Sequence, residues 1–345
     1  MHWVVIARRS VLVGLGQATA ILLGLAVSIA GCGADRAGSR AVTNGSKTPA
    51  HTAPRTRPER AFSVGLRVLT LIDPGRLVRL PGRGLAPRKL VTLVRYPAMG
   101  PPARVDVVGA PAQRAAGPFP LVVFGHGFAV TPGIYARLLR AWARAGYVVA
   151  APVFPLENAN APGAPNESDL VNQPRDMSFV ISRLLAAGTD PRSTFAGLLD
   201  PRAIGIAGHS DGGETALAVA YDSHFRDPRV RAAIILSGAQ IPGGGGSSFP
   251  APSPPLLTSQ GTADAVTPPS LTHAFFETAP APKYLLTLLG APHLGPYTDE
   301  QPQLGIVERV TIAFLDLYLK GLEGSDARLR AAGDVPATAV LHAYP

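Results

Sequence analysis

Residues 204–220 read IGIAGHSDGGETALAVA, and this stretch decides the fold. Ile204 to Ala207 is a short apolar run of the kind that makes a buried strand. Gly208-His209-Ser210-Asp211-Gly212-Gly213 is a turn, and Glu214 onward reads as a helix. A serine at such a strand-to-helix corner needs small neighbours, because side chains two positions away would collide with the adjoining strand and helix. Gly208 and Gly212 meet that need in the pattern G-x-S-x-G. The corner aims the Ser210 hydroxyl out of the carboxyl edge of a sheet and sets it at a helix N-terminus, where partial positive charge favours a developing oxyanion. The competing reading is a serine that merely caps the helix.

Outward from the corner the chain alternates strands and helices. Strands are expected at 63–72, 90–96, 121–124, 147–151, 204–207, 232–236, 256–259 and 284–289, with helices at 132–145, 168–187, 212–220, 270–277 and 303–319. The later strands are continuous apolar runs, the pattern of strands covered on both faces. The class is therefore α/β: a mostly parallel, doubly wound sheet of about eight strands with helices on both faces. The first two strands have no helix between them, which predicts an antiparallel N-terminal edge.

In folds that carry this corner, the other chemical groups follow in a set order. A loop after an earlier strand supplies one N–H of an oxyanion hole, and the residue after the serine supplies the second. Leu121 to Phe124 leads into Gly125-His126-Gly127-Phe128, so the pair is the backbone N–H groups of Phe128 and Asp211. An ordinary glycine turn is the alternative for this loop, and His126 reads as structural because it precedes the serine. The acid and then the base come after the serine. Gly261-Thr262-Ala263-Asp264 follows one strand and Gly290-Ala291-Pro292-His293 the next, so Asp264 and His293 complete a candidate triad with Ser210. His273, in a helical pattern, and His342, near the C-terminus, are the rivals for the base. Asp211 has two readings: a carboxylate favoured by the helix dipole, or a charge that disfavours anionic substrates. Residues 155–174 and 243–255, rich in Gly, Ser, Pro and Asn, read as a mobile rim over the site.

The N-terminal part has a different character. Residues 1–31 have a basic start with Arg8-Arg9, an apolar run from Val11 to Ile29 and small residues before Cys32, the layout of an export signal. Ile29-Ala30-Gly31-Cys32 resembles the bacterial lipobox, which implies a lipid anchor on the Cys32 thiol. Retention of the apolar run as a membrane span is the alternative. Arg8-Arg9 also loosely resembles a twin-arginine signal. Either way the catalytic part lies outside the cytoplasmic membrane of a bacterium, anchored or secreted. Residues 32–60 cannot bury a face and read as a disordered tether, 61–323 as the catalytic domain and 324–345 as a C-terminal tail. Cys32 is the single cysteine, which excludes an intramolecular disulfide. The net charge of +9, nearly all from arginine, fits codon bias and an anionic membrane surface, and no basic run interleaved with aromatics points to nucleic acid.

With these residues in place, residues 61–321 resemble the dienelactone-hydrolase-like branch of the α/β-hydrolases, which includes chlorophyllases, bacterial polyester hydrolases and platelet-activating-factor acetylhydrolases. The similar features are Val94-Arg95-Tyr96-Pro97, Phe124 to Phe128, Asn172 to Leu185 with Arg175-Asp176, the Gly208 to Gly213 corner, Gly261 to Asp264, and Pro292-His293. The chain departs from dienelactone hydrolases proper, which carry a cysteine where it has Ser210. It also lacks the extra disulfide and aromatic subsites of polyester hydrolases. The resemblance implies a carboxylic-ester hydrolase acting through an acyl-enzyme on a small-molecule or lipid ester, with no metal and no organic cofactor. A peptidase or amidase uses the same motifs, and a ligand-binding surface lipoprotein is the alternative outside enzymes.

Overall fold

A computed structural model of the protein describes residues 61–241 and 248–345. The expected signal, tether and Cys32 lie outside the described residues. The described chain opens with a hairpin of β1 (Ser63–Leu80) and β2 (Gly84–Ala98), and short β3 (Val107–Val108) pairs with β1. There follow β4 (Phe119–Gly125), α1 (Ala136–Arg144), β5 (Val148–Val153), α2 (Gln173–Thr189), β6 (Leu199–His209), α3 (Asp211–Tyr221), β7 (Val230–Leu236), β8 (Leu256–Gly261), α4 (Pro269–Thr278), β9 (Lys283–Leu288), α5 (Gly295–Thr298), α6 (Gln303–Leu315), α7 (Ser325–Gly333) and β10 (Ala339–Tyr344).

Among the described residues these strands form one sheet in the order β10-β9-β8-β7-β6-β4-β5-β2-β1-β3. From β5 through β9 every neighbouring pair is parallel, while β2 runs antiparallel to β5 and β10 antiparallel to β9. This is the α/β-hydrolase architecture. Strand β4 shows why its sequence is apolar without alternation: all seven of its residues are buried. Leu121 and Val123 join the core under α2 and α3 with Val180, Ile181 and Leu217. Val122 and Phe124 join the opposite core with Leu138, Trp142, Val310 and Phe314 of α1 and α6.

All eight expected strands occur, with two more beyond them. The expected tail is the larger correction, because 324–345 folds as α7 and β10. In β10, Ala339 and Leu341 are buried while Val340 and His342 are exposed, the one-faced alternation of an edge strand. Asp334 accepts the Leu341 N–H at 2.9 Å and Leu329 of α7 is fully buried, so the segment is part of the core. The apolar stretch 303–319 also divides: α6 passes into a short π-helical turn, Asp316–Lys320, that stops at Gly321 with φ 64°.

Candidate active site

Ser210 occupies the corner between β6 and α3 with φ 56° and ψ −125°, a left-handed backbone that a non-glycine residue adopts only when its surroundings force it. The surroundings do so. The Ser210 N–H donates to the Leu236 carbonyl at 3.0 Å, which ties the corner to the end of β7. A Cβ on Gly208 would run into the Gly212 carbonyl, and one on Gly212 into the backbone of Gly125 and His126. Strand, helix and loop therefore meet at van der Waals contact, and only glycine fits between them. Although Ser210 stands at the N-cap, its side chain makes no capping hydrogen bond. The capping explanation fails on that observation.

Asp264 and His293 come from the loops after β8 and β9 and meet across them: His293 Nδ1 lies 2.8 Å from Asp264 Oδ2. Facing a carboxylate, Nδ1 carries the hydrogen, which leaves Nε2 as the basic nitrogen. Asp264 Oδ1 accepts the N–H groups of Val266 and Thr267, both at 2.9 Å, and Gln260 Nε2 donates to Oδ2 at 3.2 Å. The Gln260 amide is itself oriented by Thr272, whose hydroxyl donates to Oε1 at 2.7 Å. Burial pushes the Asp264 carboxyl up, but His293 and these backbone donors outweigh it and hold the group below the ordinary carboxylate range. The two rival histidines sit elsewhere, His273 exposed on α4 and His342 exposed on β10.

Two residues that sequence reasoning passed over, His209 and Tyr135, connect these loops. His209 Nε2 lies 2.8 Å from the His293 carbonyl oxygen and so donates to it, while its ring stands 4.6 Å from the His293 ring. Its Nδ1 lies 2.8 Å from the Tyr135 hydroxyl, which in turn accepts the Gly127 N–H at 3.3 Å. The order of donors is thus fixed: Gly127 to Tyr135, Tyr135 to His209, His209 to the His293 loop. Burial, with the neighbouring His293, pushes His209 down to about 3, so the ring is neutral as the chain requires.

On the other side, His126 Nδ1 lies 2.8 Å from the Gly127 carbonyl and its Nε2 accepts the Phe154 N–H at 3.1 Å. Burial pushes His126 down to about 4, which agrees with a structural, uncharged role. Phe128 lies between two committed N–H groups, Gly127 held by Tyr135 and Ala129 by the Glu157 carbonyl at 2.9 Å. The Asp211 N–H is one of the first-turn donors that a helix cannot use itself. A Cβ on Gly127 would stand 3.1 Å from Ser210 Cβ, so the Phe128 loop lies directly against the nucleophile candidate.

A family model, Chlorophyllase, matches residues 83–263, just over half of the chain, and spans Phe128, Ser210 and Asp211. The chain belongs to the chlorophyllase family. The match stops one residue before Asp264, so in this chlorophyllase-family chain the candidate acid and base rest on the geometry of the two loops. Among solved structures, a ferulic acid esterase from Streptomyces cinnamoneus is similar at 24% identity with a TM-score of 0.58, covering 79% of this chain and 93% of that one. It shares the fold. None of the curated proteins compared matches the chain.

Two expectations about the surroundings change in this chlorophyllase-family chain. Residues 155–174 are a hydrogen-bonded loop rather than a loose rim: Asn158 donates to the Phe154 carbonyl at 2.7 Å, the Asn166 N–H to the Leu156 carbonyl at 2.7 Å, and Leu170 is buried. Of 243–255, residues up to 247 lie outside the described residues. Asp211 stands in the first turn of α3, where the helix dipole favours a carboxylate, but it is not solvated. It is buried, and its carboxyl lies within hydrogen-bond reach of Glu157, a residue the sequence did not single out. A concavity of about 930 Å³ lies away from these groups, between Arg137 and Arg144 of α1 and Glu308 of α6, beside Phe119 at the amino end of β4. Ligands of open α/β sheets bind at the carboxyl ends, where Ser210 stands.

Proposed function

We propose that the protein is a serine hydrolase of carboxylic esters. One observation carries the reading: a strained serine at a strand-to-helix corner, whose chain neighbour His209 touches His293, and a His293–Asp264 pair on the loops after β9 and β8. Ser210 Oγ attacks the ester carbonyl as His293 Nε2 takes its proton. Asp264, kept ionised, holds the Nδ1–H tautomer and stabilises the imidazolium. The N–H groups of Phe128 and Asp211 receive the oxyanion. His293 then protonates the leaving alcohol, and water activated by the same nitrogen releases the acid from Ser210. Family membership and the esterase neighbour support an ester over an amide substrate.

The reading extends to the N-terminus, where Cys32 carries a lipid that holds the exported domain on a bacterial membrane. Hydrolysis of a p-nitrophenyl ester alongside the matching anilide by the full chain tests the reaction class. The ester is expected to turn over and Ser210→Ala to abolish turnover. Preferential cleavage of the anilide, or activity that survives Ser210→Ala, contradicts it. Incorporation of labelled palmitate that Cys32→Ser removes tests the anchor.

A further inference from the structure

Glu157 follows β5 on a loop of the same sheet edge and is fully buried. Written as carboxylates, Glu157 Oε1, Glu157 Oε2 and Asp211 Oδ2 have no hydrogen-bond donor among the described residues, yet the two carboxyls are within hydrogen-bond reach of each other. Two buried acceptors face to face are stable only with a proton between them. The backbone of the same residue does a second job: its carbonyl accepts the Ala129 N–H at 2.9 Å, immediately after Phe128. Both N–H groups assigned to the oxyanion hole thus belong to segments that Glu157 holds, one through its carbonyl and one through its carboxyl.

We propose that Glu157 is a positioning residue that works in its neutral form, donating its proton to Asp211 and so fixing the two halves of the oxyanion hole against each other. The inference rests on the serine-hydrolase reading of the site. The charged groups around Glu157 favour the neutral form. Asp211 on α3 and Asp169 and Glu167 on the 3-10 turn Glu167–Asn172 are all acidic, and the neutral His126 ring packs on Phe154 nearby. Arg88 is committed to Asp169 and Asp176 in buried ion pairs at 2.7 and 2.6 Å. Burial, then the Asp211 carboxyl, push Glu157 up to about 11, so the proton stays in place across the neutral range. A negative charge on Glu157 would oppose the oxyanion that Ser210 chemistry develops.

The sign of the pH effect follows. A carboxyl raised in the folded state contributes stability that is complete below the ordinary carboxylate range and is lost as pH climbs toward about 11. Glu157→Gln keeps the shape and the donor but does not titrate, so its Tm should exceed that of the wild type by a margin that widens with pH, by about 2 °C or more for each unit above the ordinary carboxylate range. In ester turnover at neutral pH, Glu157→Gln should retain kcat within about threefold, whereas Glu157→Ala should lose about 10- to 100-fold in kcat with KM little changed, a fraction of what a deleted oxyanion donor costs. A Tm margin that stays constant with pH, or a Gln variant as impaired as the Ala variant, overturns the proposal. The Tm comparison needs no working active site, so it separates failure here from failure of the serine reading, which shows instead as activity surviving Ser210→Ala.

Discussion

Asp264 and Glu157 are both buried carboxyls at the carboxyl edge of one sheet, and the protein holds them in opposite protonation states. Asp264 receives two backbone N–H groups, the Gln260 amide and His293, and stays ionised. Glu157 receives no donor among the described residues, faces another carboxyl and stays neutral. Burial pushes both upward, so burial does not decide the charge; the count of donors does. On the proposed mechanism the difference suits two tasks: an anion behind the base, and an uncharged group behind the oxyanion hole.

The comparison can be broken from either side. The largest effect is expected from Asp264→Asn, which keeps the shape but loses the charge and presents His293 with the wrong tautomer. Ester kcat should fall about 10³- to 10⁴-fold with the fold intact, read by steady-state kinetics and circular dichroism. Next in size is the mirror-image pH response. The stability contributed by Asp264, whose folded pKa is lowered, is present above the ordinary carboxylate range and lost as pH falls through the lowered value. Thermal melts of Asp264→Asn should therefore converge on those of the wild type in acid, as the melts of Glu157→Gln diverge in base. Equal slopes of one sign for the two variants would contradict the assignment.

A smaller change sharpens the same point. Gln260→Leu removes one donor from Asp264 and one of two acceptors of the Thr272 hydroxyl, and should cost about 1–3 kcal/mol in denaturant unfolding. The smallest effect is expected from Tyr135→Phe, which cuts the chain from Gly127 through His209 to the base loop while leaving both carboxyls untouched. It should cost about 1 kcal/mol in stability and less than about tenfold in kcat.

What was legible in the sequence is what local pattern encodes. The Gly208 to Gly213 corner, eight strands and the two loops on which Asp264 and His293 meet could all be read, because each is an apolar run or a short motif at the end of one. The groups that tune the site could not. Glu157 is one of three acids in a loop rich in Pro and Asn, and its partner Asp211 belongs to another element entirely. Gln260 reads as a polar strand end, and His209 as the variable residue of the serine motif, until the fold brings Thr272, Tyr135 and the His293 carbonyl to them. β10 escaped for a different reason: an edge strand buries one face, so its six residues lack the continuous apolar signal of the inner strands.

The most direct measurement is covalent labelling of the full chain with a fluorophosphonate, followed by intact mass and peptide mapping. A single adduct on Ser210, absent from Ser210→Ala and formed far more slowly in Asp264→Asn, is the predicted result. An adduct on another residue, or undiminished labelling of Ser210→Ala, would contradict the triad on which the account is built.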